Sequence, residues 1–529
     1  MVERAKRLLE QANRRQTTSN AAIIISVVYL LSRLLGLLRD RLLVAHFGIG
    51  AELSAYNAAF RLPDLLFTLL VSGAFAVAFI PVFAGHLKRD EQEEAWKVTS
   101  SLLNLLVLLS MAGAALIIIF AGPLTTLITP GFDKSTHDMT VHITRIMALT
   151  PIFFAVSTIF GSVQQAYNRF LIYSFAGVLY NVGIIFGIIF FTGHLGIYGV
   201  AWGVVLGVLL QSLLQWLGLY GLGFKYKPTL SVRLPGVRRT LKLMVPRSID
   251  SGIDQINYSV ETIIGSTINS SAIAQFSLAN NLRNVPLVLI GSSITTAVFP
   301  RLVAKATSGV REHLIDAYVQ TARLIIFLSL PAALFCVVAR GYIVRLLYGF
   351  GDAATADTLG WFAATIVFTS LFMLVSRIYF SMQDTKTPLY TSLGSIPLNI
   401  VLSIILARKY GVIGLAMAAS ITSVLETLTL AAILRHRQGN FGEGRIIRGA
   451  IPMVVAAAVM TAVVYVLINR GIPLYAGDKG FIVLAPKFLL TAFVAAVTYL
   501  VPCWLMRLPE AKMFAGRLRL LMVKSLNLT

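Results

Sequence analysis

The chain has 529 residues; 57% are hydrophobic and only 13% are charged, and the mean hydropathy is +0.79. This composition excludes a soluble globular protein, and the long, unalternating apolar runs exclude the strands of a membrane β-barrel. The net charge of +22 would suggest nucleic-acid binding in a soluble protein. In a membrane protein the positive-inside rule accounts for such an excess, so we expect no nucleic-acid partner.

The apolar runs predict an all-α polytopic membrane protein with about 14 transmembrane helices, because in hydrocarbon each backbone N–H and C=O must be paired within its own helix. In chain order, the predicted spans are residues 22–47, 55–85, 97–122, 139–167, 170–192, 196–223, 240–268, 272–302, 313–342, 357–383, 386–408, 411–436, 446–469 and 485–506.

The first twelve spans form two copies of a six-helix repeat. Two like halves in a membrane protein usually mean two bundles with a cavity between them, an arrangement suited to transport. We expect about four residues to be missing from the second copy between the positions of Gln164 and Gly196. The matched pairs are Pro81 with Pro300 and Gln164 with Gln383, both 219 positions apart, and Gly196 with Gly411, 215 positions apart.

This repeat and the basic loops predict the domain organisation. Both termini should be cytoplasmic, because Lys and Arg concentrate in the tails and in the joint between the halves. No cleaved signal peptide is expected, and Cys336 and Cys503 form no disulfide or metal-ligand pattern. The predicted parts are a basic N-terminal segment at 1–21, bundles at 22–224 and 240–437, a cytoplasmic linker at 225–239, two additional transmembrane helices at 446–506 and a basic tail at 507–529.

The first span contains charged residues, which in a membrane tend to face a bundle interior or a watery cavity. Arg33 and Asp40 are seven residues apart and share a helical face. Asp40 follows Arg39 directly, so we expect its side chain to point elsewhere and to leave an excess of positive charge. Alternatively, Arg39 and Arg41 could extend to the membrane interface.

The seventh and eighth spans hold a polar stripe at spacings of three and four residues. Such a stripe cannot face lipid; it could line a cavity, take part in cation or proton coupling, or only join helices. At the second span, Arg61 and Asp64 could pair along the helix. The stripe consists of Arg247, Asp250, Ser251, Asp254, Asn257, Tyr258 and Glu261, continued by Asn280, Asn281, Arg283 and Asn284. Prolines mark the same helices at positions 63, 81, 246, 286 and 300.

Together these arginines predict a central cavity for an anion, because guanidinium groups stay charged and bind phosphate in a bidentate manner. A phosphorylated headgroup could enter while a lipid tail stays in hydrocarbon beside the two appended spans. We expect no cofactor or metal; the membrane potential, worth about 2.3 kcal/mol per charge per 100 mV, or a monovalent cation is the candidate energy source. The predicted binding residues are Arg33, Arg39, Asp40, Arg61, Arg247 and Arg283, and the predicted cavity or coupling residues are Asp250, Asp254, Asn257, Glu261, Asn280, Asn281 and Asn284.

Five motifs give the chain a resemblance to the MurJ/MviN lipid II flippases of the MOP exporter superfamily, over about residues 20–440. They are S-R-L-L-G-L-L-R-D from Ser32, F-R-L-P-D-L-L from Phe60, S-G-A-F-A-V-A-F-I-P from Ser72, N-R-F from Asn168 and Y-F-S-M-Q-D-T-K-T-P-L from Tyr379. The resemblance implies fourteen helices and outward movement of an undecaprenyl-pyrophosphate-linked peptidoglycan precursor across the bacterial cytoplasmic membrane by alternating access. It also implies essential roles for Arg33, Arg39, Asp40 and Arg61, with membrane lipid and the cell-wall synthesis machinery as partners.

The sequence departs from the family pattern at several polar positions, so it resembles a divergent member. Ser54 and Phe67 replace an expected aspartate and arginine, and Arg283 and Arg247 could supply the missing positive charge. The asparagines at 280, 281 and 284 replace an Asp-Arg pair and a glutamate. Alternatives are a MOP exporter of another polyisoprenoid-linked oligosaccharide or of drugs, which the carboxylate stripe keeps open, a membrane glycosyltransferase, and a non-transporting scaffold.

Overall fold

The computed structural model describes residues 18–71, 74–307, 310–349, 351–475, 477–478 and 480–512; side chains at 18–23, 74, 246–247, 249–251 and 253–254 are outside the description. The chain forms two compact units, residues 1–274 and 275–529. All regular secondary structure within the described ranges is helical.

The first unit contains eleven labelled helices. They are α1 (Thr18–Phe47), α2 (Ala51–Ala59), α3 (Arg61–Leu70), α4 (Ala74–Lys88), α5 (Gln92–Ile119), α6 (Ala121–Ile128), α7 (Lys134–Met147), α8 (Thr150–Ala166), α9 (Phe170–Phe186), α10 (Ile197–Leu217) and α11 (Pro235–Ile268). A π-helical turn, Gly187–Phe191, and a short turn, Thr192–Leu195, extend α9.

The second unit includes nine labelled helices, the first of which begins three residues before the boundary. They are α12 (Ala272–Pro286), α13 (Ser293–Thr307), α14 (Arg311–Val338), α15 (Arg340–Tyr348), α16 (Ala353–Ser381), α17 (Lys386–Tyr410), α18 (Val412–Gln438), α19 (Glu443–Val466) and α20 (Phe481–Leu505). π-Helical turns follow α12 at Leu287–Ser292 and α19 at Leu467–Gly471.

The predicted all-α polytopic membrane fold is confirmed. Within the described residues, twelve stretches are long and apolar enough to cross a membrane. The two remaining predicted spans coincide with α1, of 30 residues, and α11, of 34 residues. These two helices carry the charged motif and the polar stripe, so they are the least lipid-like of the long helices.

Two of the predicted spans are interrupted next to prolines. The second span is divided into α2, α3 and α4, and Pro63 lies in the first turn of α3. The eighth span changes to a π-helical turn directly after Pro286. Proline has no backbone N–H and crowds the preceding turn, which favours a break at these two positions, although α4 continues through Pro81.

Equivalent residues in the two copies of the repeat are 219 positions apart in the early helices and 215 positions apart in the later ones. Helices α4 and α13 begin at Ala74 and Ser293, 219 positions apart. Helices α8 and α16 end at Ala166 and Ser381, 215 positions apart. Two residues beyond each end, Asn168 and Gln383 have backbone φ values of 59° and 64°. The same smaller offset relates two interhelical hydrogen bonds, Ser212 Oγ to the Phe153 carbonyl oxygen at 2.7 Å and Thr427 Oγ1 to that of Phe368 at 2.9 Å.

The expectation that four residues are missing between Gln164 and Gly196 is therefore wrong. They are missing earlier, because the stretch from Lys134 to Ala166 has 33 residues and its counterpart α16 has 29. The pairing of Gln164 with Gln383 is one helical turn out of register. Residues four apart share a helix face, so the apolar pattern matches almost as well in the wrong register.

In the first unit, glycines bring α9 and α10 close together. A Cβ built on Gly183 would lie 2.2 Å from the Cα of Gly207, and one on Gly207 would lie 2.4 Å from the carbonyl oxygen of Tyr180. Small residues permit this approach of two backbones in a membrane helix pair. Helix α1 packs against the same α9, and α11 packs against α3 and α4.

In the second unit, α14 packs against both α16 and α19, and α20 packs against α19. The buried Tyr499 hydroxyl on α20 donates to the carbonyl oxygen of Phe327 on α14 at 2.9 Å. The segment before α20 is held on α15, where Tyr342 donates to the carbonyl oxygen of Ile472 and Arg345 to that of Tyr475. The two appended helices are thus integral to this unit; the domain boundaries derived from the repeat stay predictions.

Candidate functional site

Arg39 and Asp40 form a largely buried ion pair near the end of α1. Nε and NH2 of Arg39 donate to Oδ1 of Asp40 at 2.9 and 2.7 Å, and Asp40 is only 5% exposed. The expectation that Asp40 points away from Arg39 is wrong. Arginine has a long side chain, and where little solvent is available its guanidinium can turn back to a neighbouring carboxylate.

Asn181 on α9 holds this pair in place. Its Oδ1 accepts from NH1 of Arg39 at 3.3 Å, and its amide nitrogen donates to the carbonyl oxygens of Gly177, at 2.9 Å, and Ser32, at 3.3 Å. One buried amide therefore connects α1 to α9 and restricts the Arg39 guanidinium. Sequence reasoning missed Asn181, although a single amide in an otherwise apolar helix is a recognisable signal.

Arg61 on α3 is bound to α11 rather than to its own helix. Its Nε donates to Oγ1 of Thr262 at 2.8 Å, and its guanidinium carbon lies 5.6 Å from the centre of the Tyr258 ring. In the described part of the chain, Arg61 and Asp64 form no ion pair within 4 Å. The predicted pairing along the helix is therefore not made, although the two charges interact at longer range.

Tyr56 on α2 lies within electrostatic range of Arg39, Asp40 and Asp64, and Asp64 lies within range of Arg61. The Tyr56 hydroxyl is buried and has no hydrogen-bond partner among the described residues. Arg39, Asp40, Tyr56, Arg61 and Asn181 therefore form one polar cluster in the first unit, which we call the α1–α3 cluster.

Arg33 lies apart from this ion pair on an exposed face of α1. Its Nε and NH2 donate to the hydroxyl of Tyr29 at 2.9 and 2.6 Å, and the guanidinium lies over the same ring, 5.0 Å from its centre. This contact with Tyr29, one turn earlier on α1, orients the Arg33 guanidinium. It leaves NH1 of Arg33 without a hydrogen bond to any described residue. Arg33 is therefore exposed and preoriented.

The polar stripe of α11 is described only in its second half. Oδ1 of Asn257 is buried without a hydrogen-bond partner among the described residues, and Oε2 of Glu261 is buried as well. Tyr258 and Thr262 contact Arg61, so this part of the stripe faces α3. The side chains of Arg247, Asp250 and Asp254 lie outside the described residues, and their predicted roles stay predictions.

The predicted residues of α12 belong to the second unit. NH2 of Arg283 donates to Oδ1 of Asn284 at 3.3 Å, and the guanidinium lies 4.8 Å from the centre of the Phe362 ring on α16. Asn280 and Asn281 are half-buried. The structure thus groups Arg39, Asp40 and Arg61 in one unit and places Arg283 in the other; convergence of all the arginines on one cavity stays a prediction.

Two departures from the family pattern have structural roles. Ser54 is fully buried, and its hydroxyl oxygen accepts from the backbone N–H of Ala274 at 3.2 Å. The Phe67 ring packs against Phe154, with 4.8 Å between centres. Both positions therefore serve packing here, where a charge would be costly.

The second unit also has an apolar groove of about 250 Å³ between α14, α19 and α20. Its walls include Phe327, Pro331, Met460, Ala496 and Tyr499. Because its lining is almost entirely hydrocarbon, the groove suits an acyl or isoprenoid chain rather than a polar ligand.

The sequence was compared with known families and curated proteins. A family model described as lipid II flippase MurJ matches residues 43–484. A lipid II flippase MurJ of Burkholderia cenocepacia is 29% identical over 440 residues, 79% of this chain and 84% of the relative. A probable lipid II flippase MurJ of Buchnera aphidicola is 26% identical over 461 residues, 84% of this chain and 89% of the relative.

Solved structures share the fold. A lipid II flippase MurJ in an inward closed conformation matches with a TM-score of 0.75 at 24% identity, over 92% of this chain and 99% of that one. An inward-facing multidrug resistance MATE family transporter of the MOP superfamily matches with a TM-score of 0.66 at 16% identity, over 80% and 99% of the two chains. Structural likeness alone therefore does not separate flippases from drug transporters.

Proposed function

The chain belongs to the lipid II flippase MurJ family, and from that premise we propose that it carries lipid II from the inner to the outer leaflet of the bacterial cytoplasmic membrane by alternating access. Members of this family are transporters, so no chemical step on the cargo is required. The exporters of drugs or of other lipid-linked oligosaccharides remain fold relatives only, because the sequence match is to lipid II flippases.

The observation that carries this proposal beyond family membership is the α1–α3 cluster. A charged cluster among membrane helices is expensive and tends to mark a substrate or ion pathway. The terminal nitrogens of Arg61 make no hydrogen bond to any described residue, since only its Nε is used by Thr262. Two free, parallel donors on one guanidinium match the oxygens of a diphosphate.

Arg39 has a different part in this proposal. Its three nitrogens already donate to Asp40 and Asn181, so it has no free donor, and its charge is largely offset by the Asp40 carboxylate. A guanidinium held in place from a second helix keeps this part of the cluster preorganised. Arg33, oriented by Tyr29, supplies a further accessible charge on α1.

The apolar groove beside α19 and α20 provides a place for the lipid tail. An isoprenoid chain can lie against Phe327, Pro331 and Met460 within the second unit. Separating tail from headgroup in this way avoids pulling a long hydrocarbon through a polar cavity, which would lose its burial free energy.

Orientation and energy source belong to the same proposal. We place both termini in the cytoplasm, because this assigns most of the basic loops to that side. An emptied cavity with net positive charge would be drawn inward by a membrane potential that is negative inside. A monovalent cation bound by the carboxylate stripe of α11 is the alternative, and enzymes of cell-wall synthesis are the expected partners.

The test uses a bacterial strain depleted of its own flippase and supplied with this chain. Lipid II exposed at the outer surface is measured with a membrane-impermeant enzyme that cleaves it. We expect the cleaved fraction to fall on depletion and to recover with this chain but not with an empty vector. If depletion leaves the cleaved fraction unchanged, the strain is unsuitable as a host for this assay. If the cleaved fraction does not recover although this chain is present in the membrane, the proposal is contradicted.

A further inference from the structure

A charged pocket lies entirely within the second unit, whereas the α1–α3 cluster belongs to the first unit. It has a volume of about 440 Å³ and is formed by the N-terminal halves of α14 and α19 together with Leu508, just beyond α20. Its polar lining comes from Asp316, Gln320, Arg323, Arg445 and Arg448. We call it the arginine pocket; it shares no lining residue with the apolar groove.

One wall of the arginine pocket is a buried ion pair. Nε of Arg323 lies 2.7 Å from Oε1 of Glu510, and NH2 donates to Oε2 at 3.2 Å. Glu510 is 5% exposed. Gly449 makes room for this guanidinium, since a Cβ there would lie 2.5 Å from Nε of Arg323. The wall is therefore rigid and has little net charge.

The other two arginines of the pocket differ in whether a carboxylate is paired with them. Arg445 is paired with Asp316 at 2.7 Å and with Glu312 at 3.5 Å. Arg448 is exposed and has no hydrogen bond or ion pair with any described residue. The pocket thus presents one guanidinium without a direct partner among the described residues, that of Arg448, beside two that are held by carboxylates. The unused donors of Arg448 favour a single anionic group.

An apolar surface adjoins this charge. Ile447, Ile451 and Val455 are exposed by 62%, 58% and 52% and follow one another at intervals of four residues on α19. That spacing places the three side chains along one face of α19. Ile447, at the N-terminal end of this face, is next to Arg448 in the sequence. A ligand that contacts both regions must have an anionic headgroup and a hydrocarbon chain.

We propose that the arginine pocket binds the phosphate of an anionic phospholipid, whose acyl chains lie along the Ile447, Ile451 and Val455 face of α19. Basic pockets between transmembrane helices at the cytoplasmic side are suited to anionic headgroups. With the predicted orientation, the starts of α14 and α19 lie on that side. The bound lipid would be a resident of the inner leaflet and distinct from the transported cargo.

The test measures lipids retained by the purified full-length protein in a nonionic detergent, by native mass spectrometry. Phosphatidylglycerol and phosphatidylcholine with identical acyl chains are compared, with inorganic phosphate as competitor. We expect phosphatidylglycerol to bind at least tenfold more tightly, Arg448→Gln to remove most of that preference, and millimolar phosphate to compete poorly. Arg445→Gln should lower binding further, because Asp316 and Glu312 then lose their counter-charge.

Arg435→Gln is the matched control, because Arg435 is an exposed arginine at the end of α18 and does not line the pocket. It should retain the preference for phosphatidylglycerol. Equal loss in Arg448→Gln and Arg435→Gln would overturn the proposal in favour of nonspecific attraction. Equal binding of both lipids would overturn it as well. Full competition by inorganic phosphate would also overturn it, because the ligand of the arginine pocket would then be a soluble anion rather than a lipid.

Discussion

Arg39 and Asp40 are neighbours in the sequence and also partners in space, with NH2 of the arginine 2.7 Å from Oδ1 of the aspartate. Their side chains are 21% and 7% exposed. Asn181 donates to the carbonyl oxygen of Ser32, seven residues before Arg39 on α1, and accepts from the arginine, so the pair is fixed from a second helix. Charge and helix packing are therefore coupled in the α1–α3 cluster.

This coupling predicts non-additive mutations. Asp40→Asn should lower the free energy of unfolding by about 3 kcal/mol, because it leaves a buried guanidinium without its counter-charge. Arg39→Gln combined with Asp40→Asn should be less destabilising than the sum of the single changes. Thermal unfolding of the four proteins in detergent provides the comparison. Additive effects would show that the ion pair is not an energetic unit.

Asn181→Ala should lower stability by about 1 kcal/mol, the range measured for hydrogen bonds between membrane helices. Transport should fall further than stability alone explains, because the Arg39 guanidinium becomes free to rotate. The control is Asn469→Ala, since Asn469 is exposed and bonds only the carbonyl oxygen of Tyr465. Complementation of a flippase-depleted strain at matched protein levels is the measurement; full activity of Asn181→Ala would remove Asn181 from a positioning role.

Arg33→Ala should abolish complementation while membrane insertion is kept, because Arg33 is exposed and stabilises little of the fold. Tyr29→Phe should have a smaller effect, since the ring still packs under the guanidinium when the hydroxyl is lost. Arg145→Ala is the matched control; Arg145 is also exposed, and its Nε donates only to a backbone oxygen, that of Ile118. Full rescue by Arg33→Ala would exclude Arg33 from the binding site.

Gly207→Ala should destabilise the first unit by about 2 kcal/mol, because the new methyl group would lie 2.4 Å from the carbonyl oxygen of Tyr180 and would push α9 from α10. Since Asn181 follows Tyr180, transport should fall as well. Gly85→Ala meets no atom within 4 Å and should be neutral or slightly stabilising. Equal melting temperatures for the two variants would contradict the close contact.

Asp384 gives a pH-dependent contribution to stability. The hydrogen bond from the Thr387 hydroxyl, joined by the amides of Thr387 and Lys386 and by Arg437, lowers the pKa of the Asp384 carboxyl below its ordinary value. A lowered folded-state pKa contributes stability above the unfolded pKa, near 4, and this contribution is lost as the pH falls through the folded-state pKa.

Asp384→Asn should therefore lower the melting temperature at pH 7, with a cost of about 1 kcal/mol typical of a lost helix cap, and the difference from the wild-type protein should shrink below pH 4. Glu52→Gln is the control, because Glu52 is exposed in the first turn of α2 and accepts no hydrogen bond from a described residue. A difference that does not change with pH would show that the carboxylate charge is not responsible.

The sequence alone was sufficient for the class of fold and the family, because long apolar runs and short motifs are local properties of the chain. The sequence also identified Arg33, Arg39, Asp40 and Arg61 as candidate site residues for the same reason: a charged residue in an apolar helix is visible without coordinates. The register of the repeat at Gln164 was wrong because a shift of one turn preserves the helical pattern.

Only the tertiary structure decided which polar groups meet. That Arg39 turns back to Asp40, that Asn181 reaches across from α9, and that Arg61 bonds Thr262 about two hundred positions away depend on which helix faces are in contact. The pocket beside Arg448 likewise exists only because α14, α19 and the segment after α20 come together. Helix periodicity determines which residues share a face, but the neighbour of that face is set by packing between distant segments, and no local pattern specifies it.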